Sequence, residues 1–145
     1  MRILLTATVR CIFLLGFSTA SVAQGLPIAG DVERGRLAFG PCRTCHYAES
    51  YMGHNNGPNL SRIFGKVAGK QEGFEYYSAM FKAAQFVWTP QLMFAWLEDP
   101  LAMFPDSSMM SFGVKDPQRR ADLIAFLQQA SVRGYSQKEE SAEQE

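Results

Sequence analysis

The sequence contains few side chains that can bind a transition metal. Its 145 residues include three cysteines and two histidines, and Cys11 lies in an N-terminal segment that we expect to be removed. A structural zinc site needs four ligands, usually supplied as two pairs of Cys or His. Beyond the run from Cys42 to His46, only His54 then remains. The composition therefore argues against structural zinc.

Neither sign of charge is in excess. The chain carries 14 Lys and Arg and 14 Asp and Glu, which gives a formal net charge of zero. Proteins that bind nucleic acid through its phosphates usually carry a marked positive excess, so a nucleic-acid partner is not expected. The glutamate-rich segment 138–145 is predicted to be an acidic, disordered tail.

Long apolar runs are missing as well. The apolar segment Cys11 to Phe17 follows two arginines and precedes the small-residue sequence Ser21-Val22-Ala23. This order is typical of a cleavable signal peptide, and the run is short for a membrane span. We predict a signal peptide at 1–23, followed by a single domain at 24–137. We expect no stable membrane insertion after cleavage, and an uncleaved anchor is the alternative.

Three helix-start signals occur along the chain. Asp31 precedes a short run with apolar residues on one side. Thr89-Pro90 and Asp116-Pro117 each place a proline at the first helical position after an N-cap residue. These signals predict helices after residues 31, 89 and 116. Apolar residues 123, 126, 127 and 130 follow helical spacing and should form the inner face of the last helix.

The ends of the helices and the segments between them are harder to define. The first helix should end near Gly40, the third near Glu98 before an Asp-Pro pair, and the last near Gly134. A further helix is predicted over Tyr76 to Phe86, and the proline-containing segment 101–113 is predicted to be a loop. Strand alternation is missing. The expected fold is all-α, with four to five short helices and long loops.

One short motif carries the chemistry. Cys42-Arg43-Thr44-Cys45-His46 is a Cys-x-x-Cys-His run, the attachment signature of c-type haem. Two thiols three residues apart on one helical turn point the same way and can add to the two vinyl groups of one porphyrin. His46 can then be the first axial ligand of the iron. A disulfide and a thioredoxin-like redox pair stay as alternatives, although the latter needs a βαβ setting.

A six-coordinate electron-transfer haem needs a second axial side chain. Met103, Met109 and Met110 lie in the predicted loop 101–113, far in sequence from His46. This separation suits a ligand brought from the opposite face. A thioether is soft and neutral, so it favours ferrous iron and raises the reduction potential. We prefer Met109, with Met110 as the alternative, and interpret the methionines on predicted helices as core residues.

The order of the motifs resembles class I cytochrome c, in particular the mitochondrial cytochrome c and bacterial cytochrome c2 branch. The resemblance implies a small all-α fold wrapped around one haem c, attached covalently through Cys42 and Cys45. It covers nearly the whole predicted domain. The matching segments are Gly30 to Gly35, Cys42 to His46, Gly57 to Leu60, Ile63 to Gly65, Gly73 to Tyr76, Trp88, Trp96 to Pro100, Pro105 to Met109 and Asp122 to Leu127.

The resemblance also implies roles for individual residues. Met109 falls on the axial methionine, so that His46 and Met109 would bind the iron. Pro58 falls where a backbone carbonyl accepts the Nδ1–H of the ligand histidine, which fixes the ring and makes it more basic. Tyr76 and Trp88 fall on residues that hydrogen-bond a haem propionate.

Further positions agree with the family in part. Lys66 stands where relatives often carry arginine near the propionate, and Ser107 keeps a hydroxyl close to the same group. His54 falls on a structural histidine that ties two loops together. Trp96 replaces a tyrosine whose hydroxyl lies near the axial sulfur, and Met80 replaces an asparagine beside the haem. We expect the first change to weaken support for the methionine ligand, and the second to make the haem site less polar and to disturb the solvent beside it.

The resemblance implies a periplasmic one-electron carrier that is not an enzyme. As a monomer, it would pass electrons between redox proteins that dock at the exposed haem edge. The sequence shows no nucleophile and base pairing and no distal His and Arg pair. One alternative is a haem enzyme or small-ligand sensor in which the Met109 ligand is labile or absent. Another is a subunit fixed in a larger redox complex.

The predicted docking edge leads to a test. Mitochondrial relatives ring this edge with lysines that steer docking, whereas this chain has few there, Lys115 among them. We expect docking through apolar contact, with an electron-transfer rate that changes less than about threefold between 0.01 and 0.15 M salt, where the Debye length falls from about 30 to 8 Å. Stopped-flow kinetics with a redox partner measures this, and a steep fall would contradict apolar docking. Residues other than lysine at this edge are Pro41, Gly53, Leu101, Ala102, Ser108 and Asp116.

Overall fold

Helices joined by long loops make up the part of the chain that the structure, a computed structural model, describes. This part comprises residues 26–142, with side chains described up to residue 131; the predicted signal peptide lies outside it. None of the helices described there is long and apolar enough to cross a membrane. The α-helices in this range are α1 (Val32–Ala38), α2 (Ala79–Ala83), α3 (Pro90–Glu98), α4 (Pro100–Met103) and α5 (Pro117–Ala142).

The predicted helix starts are confirmed. Asp31, Thr89 and Asp116 each precede a helix, and their side-chain oxygens accept backbone N–H groups two or three residues further on, at 2.8, 3.1 and 2.9 Å. Each cap satisfies a donor that the first helical turn leaves free and stabilises the helix by about 1 kcal/mol. Local chemistry therefore decides where α1, α3 and α5 begin.

The second helix is shorter than the predicted range 76–86. It occupies only α2, because the chain turns extended at Ala84, where ψ is 142°. The following residues pair with an earlier segment instead: the Ala68 N–H donates to the Phe86 carbonyl at 2.9 Å. Val67 and Val87 form an isolated antiparallel bridge, and the residues described here contain no longer strand.

Two other boundaries differ from prediction. The segment predicted as a loop at 101–113 begins with α4, because Asp99 caps it by accepting the Ala102 N–H at 3.1 Å. The last helix does not end near Gly134 but continues to Ala142. A glycine inside a helix costs only about 1 kcal/mol, and the Gln, Lys, Glu and Ala residues that follow favour helix. The helix therefore passes Gly134 and reaches into the segment predicted to be an acidic tail, as far as Ala142.

The crossing of α1 and α5 forms one end of the core. Gly35 is buried there, and any side chain at this position would overlap the Asp122 carbonyl of α5. The rings of Phe39 and Phe126 lie 5.2 Å apart, beside the buried Leu123. This contact confirms the predicted inner face of the last helix and fixes the first helix next to the haem-attachment motif.

A buried carboxylate joins the same two helices. Asp122, 4% exposed, accepts the Asp31 N–H at 2.7 Å, the Arg34 Nε and Nη2 donors at 2.8 and 2.9 Å, and the Gln118 amide at 3.0 Å. The Arg34 hydrogen bond is the main reason that the pKa of Asp122 lies well below its usual range, and burial acts in the opposite direction. The ionised carboxylate is therefore part of the folded state.

Replacing Asp122 with asparagine tests this contact. Because the folded state holds the pKa down, the stabilisation is complete above the unfolded pKa of about 3.9 and is lost as the pH falls towards the folded value. We expect Asp122→Asn to lower the free energy of unfolding by about 2 kcal/mol at pH 7, and by less at pH 3. Guanidinium unfolding at both pH values measures this difference, which should not be equal at the two.

Candidate functional site

A cavity of about 770 Å³ lies against the Cys-x-x-Cys-His motif. This volume falls within the range of about 300–1,000 Å³ that is usual for ligand sites. Apolar and aromatic side chains make up much of its wall. The predicted site residues that line it are Cys42, Cys45, His46, Pro58, Lys66, Trp88, Trp96, Ser107 and Met109.

The cysteines stand on a tight turn at the cavity wall. A 3-10 turn over Gly40–Thr44 follows α1, and the Cys45 and His46 N–H groups both donate to the Cys42 carbonyl, at 3.1 and 2.8 Å. Cys42 and Cys45 are free, half-buried thiols, and burial raises the pKa of Cys42. Both thiols line one cavity, which fits attachment to a single porphyrin better than a disulfide.

The zinc alternative receives no support from this geometry. Within residues 26–142, no group of three or more His, Cys, Asp or Glu side chains is arranged to hold a metal ion. A structural zinc site would need four such ligands at bonding distance. The motif itself supplies one imidazole nitrogen and two thiols, which is fewer than the four ligands of a structural zinc site.

His46 is oriented by its neighbours. Its Nδ1 lies 2.7 Å from the Pro58 carbonyl oxygen, and because a carbonyl can only accept, Nδ1 carries the proton and Nε2 keeps its lone pair. Burial lowers the pKa of His46, although the bond to Pro58 opposes this. Any side chain at Gly57 would overlap the His46 ring. The result is a neutral, fixed imidazole able to bind a metal through Nε2.

His54 uses both ring nitrogens for protein contacts. Its Nε2 donates to the Glu72 carbonyl at 2.7 Å, and its Nδ1 accepts the Asn59 N–H at 3.0 Å. Asn59 is buried and donates to the Glu49 and Gly53 carbonyls at 2.8 and 2.7 Å. The prediction that His54 braces two loops is confirmed, and neither nitrogen is left to bind iron.

Lys66 and Trp88 lie side by side on another part of the wall. The backbone N–H of Trp88 donates to the Lys66 carbonyl at 2.9 Å. Lys66 Nζ donates to Gln71 Oε1 at 2.7 Å and to the Ser61 carbonyl at 3.1 Å, both uncharged acceptors. Burial lowers the pKa of Lys66, and the nearby Arg62 adds to this. An ammonium group without a described carboxylate partner suits an anionic group in the cavity.

Tyr76 is not at the site. It is 82% exposed and does not line the cavity, whereas Tyr77 does. Phe74 packs against both tyrosine rings, and only Tyr77 also contacts Phe81 of α2, with centroids 6.3 Å apart. The contact with Phe81 holds the Tyr77 ring on the inner side of the chain. Tyr76 has no such contact and stays in solvent. Of the two tyrosines, it is therefore Tyr77 that lines the cavity.

The loop after α4 brings methionines to the cavity. Met109 is half-buried and packs against the main core cluster, whereas Met110 is 88% exposed. The Met109 N–H donates to Ser107 Oγ at 3.2 Å, and Ser107 itself is buried. Met93, predicted to be a core residue, is 5% exposed and also lines the cavity. Burial favours Met109 over Met110 as a ligand, and the assignment stays a prediction.

Several lining residues were missed by the sequence analysis. Gln71, Tyr77 and Phe81 all line the cavity, and Phe81 packs against Trp88 and Trp96 at centroid distances of 6.3 and 5.6 Å. Tyr77 and Phe81 are four residues apart, but Tyr77 lies before α2 begins, so helical spacing does not account for their shared position. Nothing in the sequence around Gln71 indicated its contact with the half-buried Lys66.

The described residues fit a covalently bound haem. They supply two free thiols, a neutral imidazole with a free Nε2, an apolar wall and a lysine with only neutral partners. Each of these groups would meet a different part of such a cofactor: the vinyl groups, the iron, the porphyrin face and a propionate.

Comparison with known proteins agrees with this fit. No family model matches the chain. Cytochrome c of Chlamydomonas reinhardtii is 42% identical over 105 residues, which cover 72% of this chain and 93% of that protein. Cytochrome c2 of Blastochloris viridis is 34% identical over 125 residues, covering 86% of this chain and 96% of the relative.

A solved structure supports the same assignment. Cytochrome cH from Methylobacterium extorquens superposes with a TM-score of 0.64 at 33% identity. The match covers 69% of this chain and 99% of that one. The shared fold confirms the predicted small all-α architecture. With the motif, the cavity and these relatives, the chain belongs to the class I cytochrome c family.

Proposed function

We propose that the chain is a periplasmic one-electron carrier with a single haem c attached at Cys42 and Cys45. His46 and Met109 would be its axial ligands. The observation that best supports this is the hydrogen bond of 2.7 Å between His46 Nδ1 and the Pro58 carbonyl, on a cavity wall that also carries both thiols. Haem c would supply a reversible one-electron iron couple.

Family membership confirms that the chain is not an enzyme, because cytochromes c and c2 are electron carriers. For such a protein, the surrounding residues have to hold the ligands still in both oxidation states. The Pro58 carbonyl does this for His46 by fixing the ring and increasing the basicity of Nε2. A carrier of this kind needs little rearrangement when an electron arrives.

Met109 would complete the ligand set from the other side. Its thioether is soft and uncharged, so it stabilises ferrous over ferric iron and raises the reduction potential. Trp96, 4% exposed, lines the same cavity and would help to keep water away from the sulfur. With both axial positions filled by side chains, a small molecule could bind only after one ligand detached.

The polar residues of the cavity would hold a propionate. Lys66 offers a positive charge, Trp88 an indole N–H and Ser107 a hydroxyl, and all three line the cavity. We assign the tyrosine contact first expected of Tyr76 to Tyr77, which lines the cavity. Burying the charged propionate against these donors keeps its cost low.

The cellular setting follows from export. The predicted signal peptide at 1–23 supports delivery to the periplasm, and similarity to bacterial cytochrome c2 agrees with it. As a monomer, the chain would exchange electrons with donor and acceptor proteins at the exposed haem edge. The domain limits 24–137 and 138–145 remain part of this proposal.

Replacing Met109 tests the ligand set. We expect Met109→Ala to abolish the sulfur-to-iron charge-transfer band of the ferric protein and to lower its reduction potential by about 0.1 V or more, within the range of about 0.8 V that axial ligands span. A reductive titration followed by visible and near-infrared spectra measures both quantities on the exported holoprotein.

Met110→Ala is the matched control, because it removes the same side chain one residue away, where it is 88% exposed. It should leave the band and the potential close to their wild-type values. Loss of the band in Met110→Ala alone would assign the ligand to Met110. A high-spin spectrum in the wild-type protein would favour a ligand-binding sensor instead of a carrier.

A further inference from the structure

We infer that Arg120 is the positioning residue of the Met109 loop, defined as residues 104–116 between α4 and α5. By holding the end of this loop, Arg120 would set how often the Met109 sulfur leaves the iron. The inference rests on the proposed His46 and Met109 ligation, and the experiment below separates failure of one from failure of the other.

The Met109 loop is attached to the end of α3 by its backbone. The Val114 N–H donates to the Leu97 carbonyl at 2.7 Å. Gly113 adopts a positive φ of 79°, and any side chain there would overlap the Glu98 carbonyl. The loop therefore passes in close contact with α3 only a few residues after Met109.

Arg120 fastens the same point from α5. Its Nη1 donates to the Val114 and Lys115 carbonyls at 2.8 and 2.9 Å, and its Nη2 donates to Glu98 Oε2 at 3.1 Å. The residue is 4% exposed. One guanidinium thus joins the loop end, the end of α3 and α5, with geometry that a lysine cannot reproduce.

The position of the guanidinium is itself well determined. It lies over the Phe94 ring of α3 at 4.5 Å from the centroid, a favourable cation–π distance. Its Nε is buried without a hydrogen-bond partner. Burying a charged group with an unused donor is costly. The hydrogen bonds from Nη1 to the two loop carbonyls offset part of this cost and orient the guanidinium.

Other contacts of the loop are weaker. Lys115 Nζ and Asp99 Oδ2 are 2.8 Å apart, but the side chains are 63% and 45% exposed, and exposed pairs of this kind contribute little. Around Met109 the described hydrogen bonds are local: Ser107 Oγ accepts the Met109 N–H, and the Ser111 N–H donates to the Met109 carbonyl at 3.0 Å. Besides the backbone bond from Val114 to Leu97, Arg120 is thus the main buried side-chain contact between this loop and the helices.

This arrangement has a measurable consequence. An added ligand can bind the iron only in molecules whose Met109 sulfur has detached, so its apparent dissociation constant equals the intrinsic value divided by the detached fraction. Removing the Arg120 contacts should increase this fraction. Imidazole affinity for the ferric holoprotein therefore reports how firmly the loop holds Met109.

We expect Arg120→Gln to strengthen imidazole binding by about tenfold or more, the lower end of what loss of charged, buried hydrogen bonds gives. Arg120→Lys should give an intermediate gain and serves if the glutamine variant does not fold. The charge-transfer band should be weakened in both. Spectroscopic titration with imidazole measures affinity and band together.

Two controls separate positioning from general destabilisation. Asp122→Asn weakens the α1 and α5 contact from the same helix as Arg120, and Arg36→Gln makes the same substitution at an exposed pair with Glu33. Both should keep wild-type imidazole affinity. The inference is wrong if Arg120→Gln and Arg120→Lys stay within about twofold of wild type, or if Asp122→Asn matches them. If Met109→Ala does not raise the affinity, the proposed ligation itself fails.

Discussion

The hydrogen bond between His46 and the Pro58 carbonyl is the contact on which the site depends. At 2.7 Å it decides which ring nitrogen carries the proton, and the other nitrogen is left as a ligand on the wall that carries Cys42 and Cys45. The glycine before Pro58 is required for the same reason, because a side chain there would overlap the imidazole. Motif, ring and carbonyl lie within 17 residues of sequence, from 42 to 58, so the covalent side of the site is built locally.

The rest of the fold supports this local unit from a distance. Gly35 lets α1 approach α5 closely, and Asp122 closes the contact with hydrogen bonds to Asp31 and Arg34. The chain between the motif and α3 is mostly loop, held by buried side chains such as Asn59 rather than by regular structure. A domain with long loops needs a large apolar surface to order them, and the cavity is shaped to receive one.

Sequence analysis was most successful where local chemistry decides the outcome. Cap residues and following prolines predicted the starts of α3 and α5, and the residues of the predicted haem-attachment motif line the cavity. Long-range contacts carry no local signal: α2 is shorter than its sequence pattern predicts because residues 86–88 pair with 66–68. Tyr76 was chosen over Tyr77 because the family pattern does not show that Phe81 draws the second ring inwards. Arg120 carries no motif, so its contacts were visible only in the fold.

The two sides of the site differ in how they are held, and this difference separates a carrier from a ligand-binding protein. On the His46 side, the motif and its carbonyl partner are close in sequence and largely fixed by backbone geometry. On the Met109 side, the segment makes local hydrogen bonds and is tied to the helices mainly at its end, through Val114 and Arg120. Under the proposed ligation, a small loss of contacts there would free an axial position while leaving the haem attached. Selection for electron transfer or for ligand binding would therefore act first on this loop and its anchors, and last on the motif.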